Sequence, residues 1–188
     1  MDNRTRILQE ALRLFSCRGY EAVGVQEICE AAEITKPTLY HYFGNKIGLL
    51  EAITSHWGAD FDHRVATASE YNGDLPLTLN RLVKAIFELA SLHPEFSRLQ
   101  LALWFAPPES EAGKIVTRSL RNQHDSIETL FRKAAEDHGN MRGRDRIYAI
   151  SFLGLVNSYV AIFLNNLTPL DDELCFRILH HFMHGIYS

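Results

Sequence analysis

Proline and cysteine are both scarce in this chain, six and three among 188 residues, and glycine is held to 11. So little proline and glycine excludes collagen-like and low-complexity classes. The cysteines, Cys17, Cys29 and Cys175, lie far apart in apolar surroundings. An odd number without close spacing argues against a disulfide framework or a cysteine-held zinc site, and it fits reduced thiols in the cytosol. An excess of positive charge is missing too: 19 Lys and Arg stand against 23 Asp and Glu, a formal net charge of −4. That disfavours a general nucleic-acid coat protein, so any DNA contact must come from a small, well-placed set of groups. No charged opening leads into a short apolar run, so no signal peptide is expected. G-x-S-x-G, H-E-x-x-H, a phosphate-binding glycine loop and a Cys/His pairing are all absent, which leaves no basis for an enzyme.

What is present is helical periodicity from end to end, with no convincing alternating strand. The expectation is an all-α protein of about nine helices. Ile7, Leu8, Ala11, Leu12 and Phe15 mark one face of a first helix that Gly19 stops. A short second helix covers about Val25 to Ala32, burying Ile28, Ala31 and Ala32. A third opens at Thr35 and ends near Phe43. A fourth follows Asn45, a good N-cap, with Leu50, Ile53, Trp57 and Phe61 on one stripe. After Tyr71-Asn72-Gly73-Asp74 a fifth helix begins, with Pro76 in its first turn and Asp74 as its cap. Further helices are expected over about 95–105, 110–138, 145–165 and 171–187, punctuated by Pro107-Pro108, Gly139-Asn140 and Pro169. Domains are expected over 1–61 and 62–188.

The stretch from Ile28 to Phe43 carries the most information. Two short helices joined by about four residues have the spacing of a helix-turn-helix, here about 24–43. At 100° per residue, Leu39 and Phe43 of the third helix fall together, flanked by Lys36 and Tyr40, and point to the core. Pro37, Thr38, His41 and Tyr42 occupy the other side. A free face of that composition is unusual for simple solvation, where Lys and Glu dominate, and it suits a major groove. Thr38 can bond phosphate or base, its methyl and the Pro37 ring can touch a thymine methyl, and His41 can meet base edges. Tyrosine hydroxyls and Lys46 suit phosphates. On periodicity alone, a plain helical hairpin with a surface aromatic cluster fits nearly as well.

Leu14-Phe15, Gly19-Tyr20, the run Thr35-Lys36-Pro37-Thr38-Leu39-Tyr40-His41-Tyr42-Phe43, then Asn45-Lys46 and Leu49-Leu50, closely resemble the DNA-binding domain of the TetR family of repressors, over Ile7 to Ile53. Beyond Phe61 only the helical layout matches. The resemblance implies DNA contacts at Gln26, Lys36, Pro37, Thr38, Tyr40 and His41, with Tyr42 and Lys46 on phosphates. It implies a transcriptional regulator released from a palindromic operator by a small ligand; a helical protein-binding adaptor is the alternative. Three features depart from the family pattern. Gly24 stands where Thr or Ser usually caps the second helix, and Glu33 replaces the usual turn glycine. The first 50 residues carry six cations and six acids.

In the C-terminal part, the segment Ile147 to Leu164 is almost wholly apolar, broken only by Ser151, Asn157 and Ser158. Its length is near the lower limit for a membrane span, but Asn157 is central and the neighbouring helices are charged, so a helix buried on every side is the better reading. Ser151, Gly154, Ser158 and Ala161 would permit close helix approach. The resemblance implies a homodimer through about 145–165 and 171–187, as a four-helix bundle. Phe61, Phe87, Trp104, Phe105, Phe131, Phe152 and Tyr159 are candidates for the wall of a pocket for a largely apolar effector, although aromatics at helical spacing are more often core. Asn157 needs a hydrogen-bond partner, in that pocket or across the dimer seam. His180, His181 and His184 have metal-like spacing without a third ligand, so no metal and no cofactor are expected.

Overall fold

The computed structural model describes residues 2–185. Among them are nine α-helices, one short 3-10 turn and no strand: α1 (Asn3–Arg18), α2 (Val25–Ala31), α3 (Lys36–Phe43), α4 (Lys46–Ala68), α5 (Leu75–Leu92), α6 (Pro94–Trp104), α7 (Glu111–Asp137), α8 (Asp145–Leu164) and α9 (Asp172–His184). The expected end of the last helix at Tyr187, and burial of Ile186 within it, lie outside the described residues.

The helix ends follow from local chemistry. Asp2, Asp74 and Asp171 sit in extended backbone and accept from the N–H three residues on, at 2.7, 2.9 and 2.8 Å, as side-chain caps do. Asn45 does the same for α4, its Oδ1 accepting from the Gly48 N–H at 2.8 Å. Gly19 ends α1 with φ +81°, a region open to glycine. Thr35 departs from expectation. It occupies the cap of α3, but its hydroxyl makes no cap bond and lies 2.9 Å from the Thr38 hydroxyl instead.

The chain forms two compact units: residues 1–60 with 95–119, and 61–94 with 120–188. In the first, Ile7, Leu8, Ala11 and Phe15 of α1 pack in one core with Ile28, Ala32, Leu39, Leu49, Leu50 and Ile53. Cys29 of α2 is buried in this core, whereas Ala31, expected inside, is only half-buried. Phe96, Leu99 and Leu103 of α6 are buried in the same unit. Their apolar faces place 95–119 with the first unit rather than with the C-terminal residues the sequence had joined them to.

The second unit is built round α5, α8 and α9. Leu79, Leu82, Val83 and Ile86 are buried with Ile127, Leu130, Phe152, Val156 and Ile178. Phe131, Phe152 and Phe182 form a closed triangle with ring centroids 5.3–6.1 Å apart, the tilted geometry aromatic quadrupoles favour. α8 is long and apolar enough to cross a membrane by length and composition, with mean hydropathy 1.9. Its buried positions, Ala149, Phe152, Leu153, Val156 and Val160, pack within this unit, where α8 meets both α5 and α9. It is not enclosed on every side within one chain: Ile147, Ile150, Ser151, Gly154, Ser158 and Ile162 are exposed. So are Phe176, His180 and Met183 of α9.

Candidate nucleic-acid interface

The turn between α2 and α3 sets the geometry. The Ile34 N–H donates to the Cys29 carbonyl at 2.9 Å, and the Glu33 N–H to that of Glu30 at 3.2 Å. These two bonds are the Schellman arrangement, which needs a left-handed residue just past the helix end. Glu33 supplies it, with φ +50°. The turn therefore keeps the backbone that glycine would adopt freely, and an L-residue pays about 1–2 kcal/mol for it. The Glu33 carboxylate is 82% exposed and reaches Arg6 only at 3.8 Å, a contact of small worth. Glu33→Gly should thus stabilise the protein by about 1 kcal/mol, after allowance for the freedom glycine adds to the unfolded chain. That corresponds to a melting temperature roughly 2–4 °C higher. A fall on thermal denaturation without DNA would show that the residue is not strained.

At the start of α2, Gly24 gives no side-chain cap, as its lack of a side chain requires. Glu27 reaches back instead, its Oε2 accepting the Gly24 N–H at 2.9 Å while Arg18 holds its other oxygen. These donors hold the Glu27 carboxyl below the usual carboxylate range, the Gly24 N–H being the larger influence.

α3 rests on Leu39 and Phe43, both buried. Lys36, Pro37, Tyr40, His41 and Tyr42 are exposed, and Thr38 is half-buried. Tyr40, expected to flank the core, is 45% exposed, so it joins the open face. The His41 and Tyr42 rings meet edge to face at 5.4 Å. Gln26 is exposed on α2, its amide donating to Glu30 at 2.8 Å. Lys46 is different. Its ammonium lies 4.1 Å from the Tyr20 ring centroid and 5.9 Å from that of Phe15, a cation–π arrangement. Burial pushes its pKa down, against the opposing pull of Glu21 and Glu111.

Seven of the eight DNA-directed residues are thus grouped on α2 and α3 with accessible side chains, and Lys46, at the start of α4, is turned inward onto Tyr20. Sequence reasoning missed Arg4, whose guanidinium carbon lies 5.7 Å from the Phe43 ring centroid. A cation 39 residues away in sequence carries no local signal for that contact. It also missed Gly48, where a Cβ would come within 2.2 Å of the Phe43 carbonyl oxygen.

The eight residues expected to line an effector pocket are divided between the two units. Trp104 and Phe105 belong to the first unit and the other six to the second. Phe105 is 85% exposed at the end of α6. Phe131 and Phe152 pack against each other and Phe182 as solid core, and Phe61 is buried. Asn157 and Tyr159 are half-buried on α8. Phe87 alone of the eight borders a described cavity, an open one of about 520 Å³ also lined by Lys84, Glu88, Leu92 and Asp172. Aromatic spacing reported the core here because a core and a pocket wall impose the same helical period.

Residues 7–53 match the model of bacterial regulatory proteins, tetR family. The chain is 31% identical over 137 residues to the uncharacterized HTH-type transcriptional regulator YuxN of Bacillus subtilis, covering 70% of this chain and 47% of that protein. It is 25% identical over 174 residues to the HTH-type transcriptional activator FasR of Mycolicibacterium smegmatis, covering 92% of this chain and 77% of FasR. The chain thus spans about half the length of YuxN and about three-quarters of FasR. The crystal structure of AibR in complex with isovaleryl coenzyme A and operator DNA superposes with a TM-score of 0.77 at 25% identity, covering 95% of this chain and 97% of AibR. Residues 7–53 thus carry a domain of the tetR family of bacterial regulatory proteins.

Proposed function

We propose that the protein is a transcriptional regulator that binds a palindromic operator as a homodimer and is released from it by a small, largely apolar ligand. The observation that carries the reading is the exposed face of α3, where Lys36, Pro37, Tyr40, His41 and Tyr42 stand over buried Leu39 and Phe43. A short helix anchored by two residues and presenting hydrogen-bonding and ring side chains outward is built to enter a major groove. AibR, crystallised with its operator and isovaleryl coenzyme A, supports a regulator of this fold that binds both DNA and a ligand with an apolar acyl portion. FasR is named an activator, so the direction of regulation is a separate question, and release of repression is the reading tested.

The dimer seam is proposed along the exposed stripe of α8 and α9. Ile150 and Asn157 are seven residues apart and so lie on one line of α8, which favours a hydrogen bond for Asn157 across the seam. A Cβ at Gly154 would meet nothing within 4 Å in the single chain, leaving room for a partner helix.

The experiment is selection of duplexes from a random pool, followed by footprinting. Enriched sequences with two inverted half-sites about 34–36 Å apart or slightly wider support the reading. A single half-site removes the dimer, and no enrichment removes the regulator. On the selected duplex, Thr38→Ala and His41→Ala should each weaken binding by about 1–3 kcal/mol. If His41→Ala leaves sequence preference intact, His41 does not face the bases.

A further inference from the structure

Six cations stand in the first 50 residues, and the structure commits four of them elsewhere. Arg13 pairs with Glu10 at 2.8 Å, Arg18 with Glu27, and Arg6 with Glu33 at 3.8 Å. Lys46 is folded onto Tyr20. Lys36 and Arg4 are both exposed and make no ion pair among the described contacts of these six. Arg4 has the Asp2 carboxylate for an electrostatic neighbour, but an Asp2 oxygen is already held by the Thr5 N–H that it caps.

These two remaining cations bracket one element. Lys36 is the first residue of α3, and Arg4 lies over the ring of Phe43, the last. Seven steps of 1.5 Å separate the two ends by about 10 Å along the helix axis. The Arg4 guanidinium carbon lies within cation–π reach of the Phe43 ring, 5.7 Å from its centroid, which limits its wandering. The in-plane N–H donors of a guanidinium remain free to fork onto an anion when its face is stacked. Phe43 is itself fixed in the core, so the charge is held at a set place near the C-terminal end of α3.

We infer that Arg4 and Lys36 form a two-point clamp on the phosphate backbone of duplex DNA, and that Arg4, not Lys46, supplies the second phosphate contact beside α3. The inference rests on the proposed DNA-binding function and names the charges by which that surface holds its duplex. It also accounts for binding by a domain with equal numbers of acids and cations: Arg13 and Arg18 pair with Glu10 and Glu27, while the cations at the two ends of α3 are left without an ion pair among the described residues.

The test is the salt dependence of binding by the full chain to a duplex selected by the wild-type protein, followed by fluorescence anisotropy between 50 and 200 mM salt. Each phosphate contact adds about 0.9 to the slope of log affinity against log salt. With two copies of Arg4 in a dimer, Arg4→Gln should lower the slope by about 1.8. Wild type would then lose roughly tenfold more affinity than the variant across that range. Lys36→Gln should act alike. Arg4→Lys should retain most of the slope, because the charge remains, while Arg13→Gln should leave it unchanged. Circular dichroism melts establish that each variant is folded. A wild-type slope retained in folded Arg4→Gln overturns the clamp while the regulator reading stands. If Lys46→Gln removes the slope that Arg4→Gln leaves, the second contact belongs to Lys46. Failure of the wild-type protein to bind any selected duplex overturns the function and the clamp together.

Discussion

Gly48→Ala should lower the melting temperature by roughly 6–12 °C, a large stability loss for the addition of one methyl group. The added Cβ would stand 2.2 Å from the Phe43 carbonyl oxygen and 3.3 Å from its carbonyl carbon. Those are backbone atoms, so no rotamer change relieves the clash. The carbonyl is also held in place, accepting the Asn45 N–H at 2.8 Å, and the Phe43 ring is buried. Relief requires the end of α3 to move away from the start of α4. Overpacking of this kind costs about 3 kcal/mol, and at 2–4 °C per kcal/mol the stated shift follows. Because α3 moves, binding to a selected duplex should weaken as well. Gly58→Ala is the control: its Cβ would meet only the Phe96 ring at an ordinary 3.5 Å, and alanine is the better helix former, so its melt should be unchanged or higher. An unchanged melt for Gly48→Ala would mean that the α3–α4 corner is pliable, and that the reading helix is not held rigidly against α4.

Ile150→Glu should convert the protein from dimer to monomer at micromolar concentration, raising the dimer Kd by at least about 100-fold, which is under 3 kcal/mol. Ile150 is 51% exposed on α8 and Phe176 67% exposed on α9. Ile147, Ser151, Gly154 and Ser158 continue an exposed and uncharged stripe. A carboxylate placed there would be buried without a partner in a dimer seam but hydrated in a monomer. The single chain should therefore keep its helical content while its sedimentation changes. Loss of the dimer should also reduce affinity for a two-half-site duplex to that of one half-site. Wild-type protein that sediments as a monomer, or a variant that still dimerises like the wild type, would leave this stripe without a role in self-association.

Much of the fold was legible because its determinants are local. The Asp74 cap of α5, the Asn45 cap of α4 and the apolar period of α1 act within three or four residues, the range over which sequence pattern and backbone hydrogen bonding coincide. Glu33 was legible through the family resemblance: the glycine usual at that position implied a left-handed backbone, and φ is +50°. The open face of α3 was legible for a related reason, since Leu39 and Phe43 define the buried side by helical period alone. Tyr40 was the exception, because an aromatic ring at the edge of an apolar stripe can turn either way until the neighbouring helix is in place.

Tertiary structure decided what depends on residues distant in the chain. The sequence by itself determined an all-α protein, most of its helix ends, the buried and open sides of α3 and its family likeness, all short-range properties. It could not say that Lys46 would turn onto Tyr20, that Arg4 would lie over Phe43, or that three arginines would be occupied by Glu10, Glu27 and Glu33. Each of those is a competition among several possible partners for one charge, settled by where the core places their backbones. It could not separate core from pocket among Phe131, Phe152 and Phe105 either, because burial is a sum over neighbours from several helices. Nor could it place residues 95–119 with the first unit. Periodicity tells which face of a helix must be covered, and only packing tells what covers it.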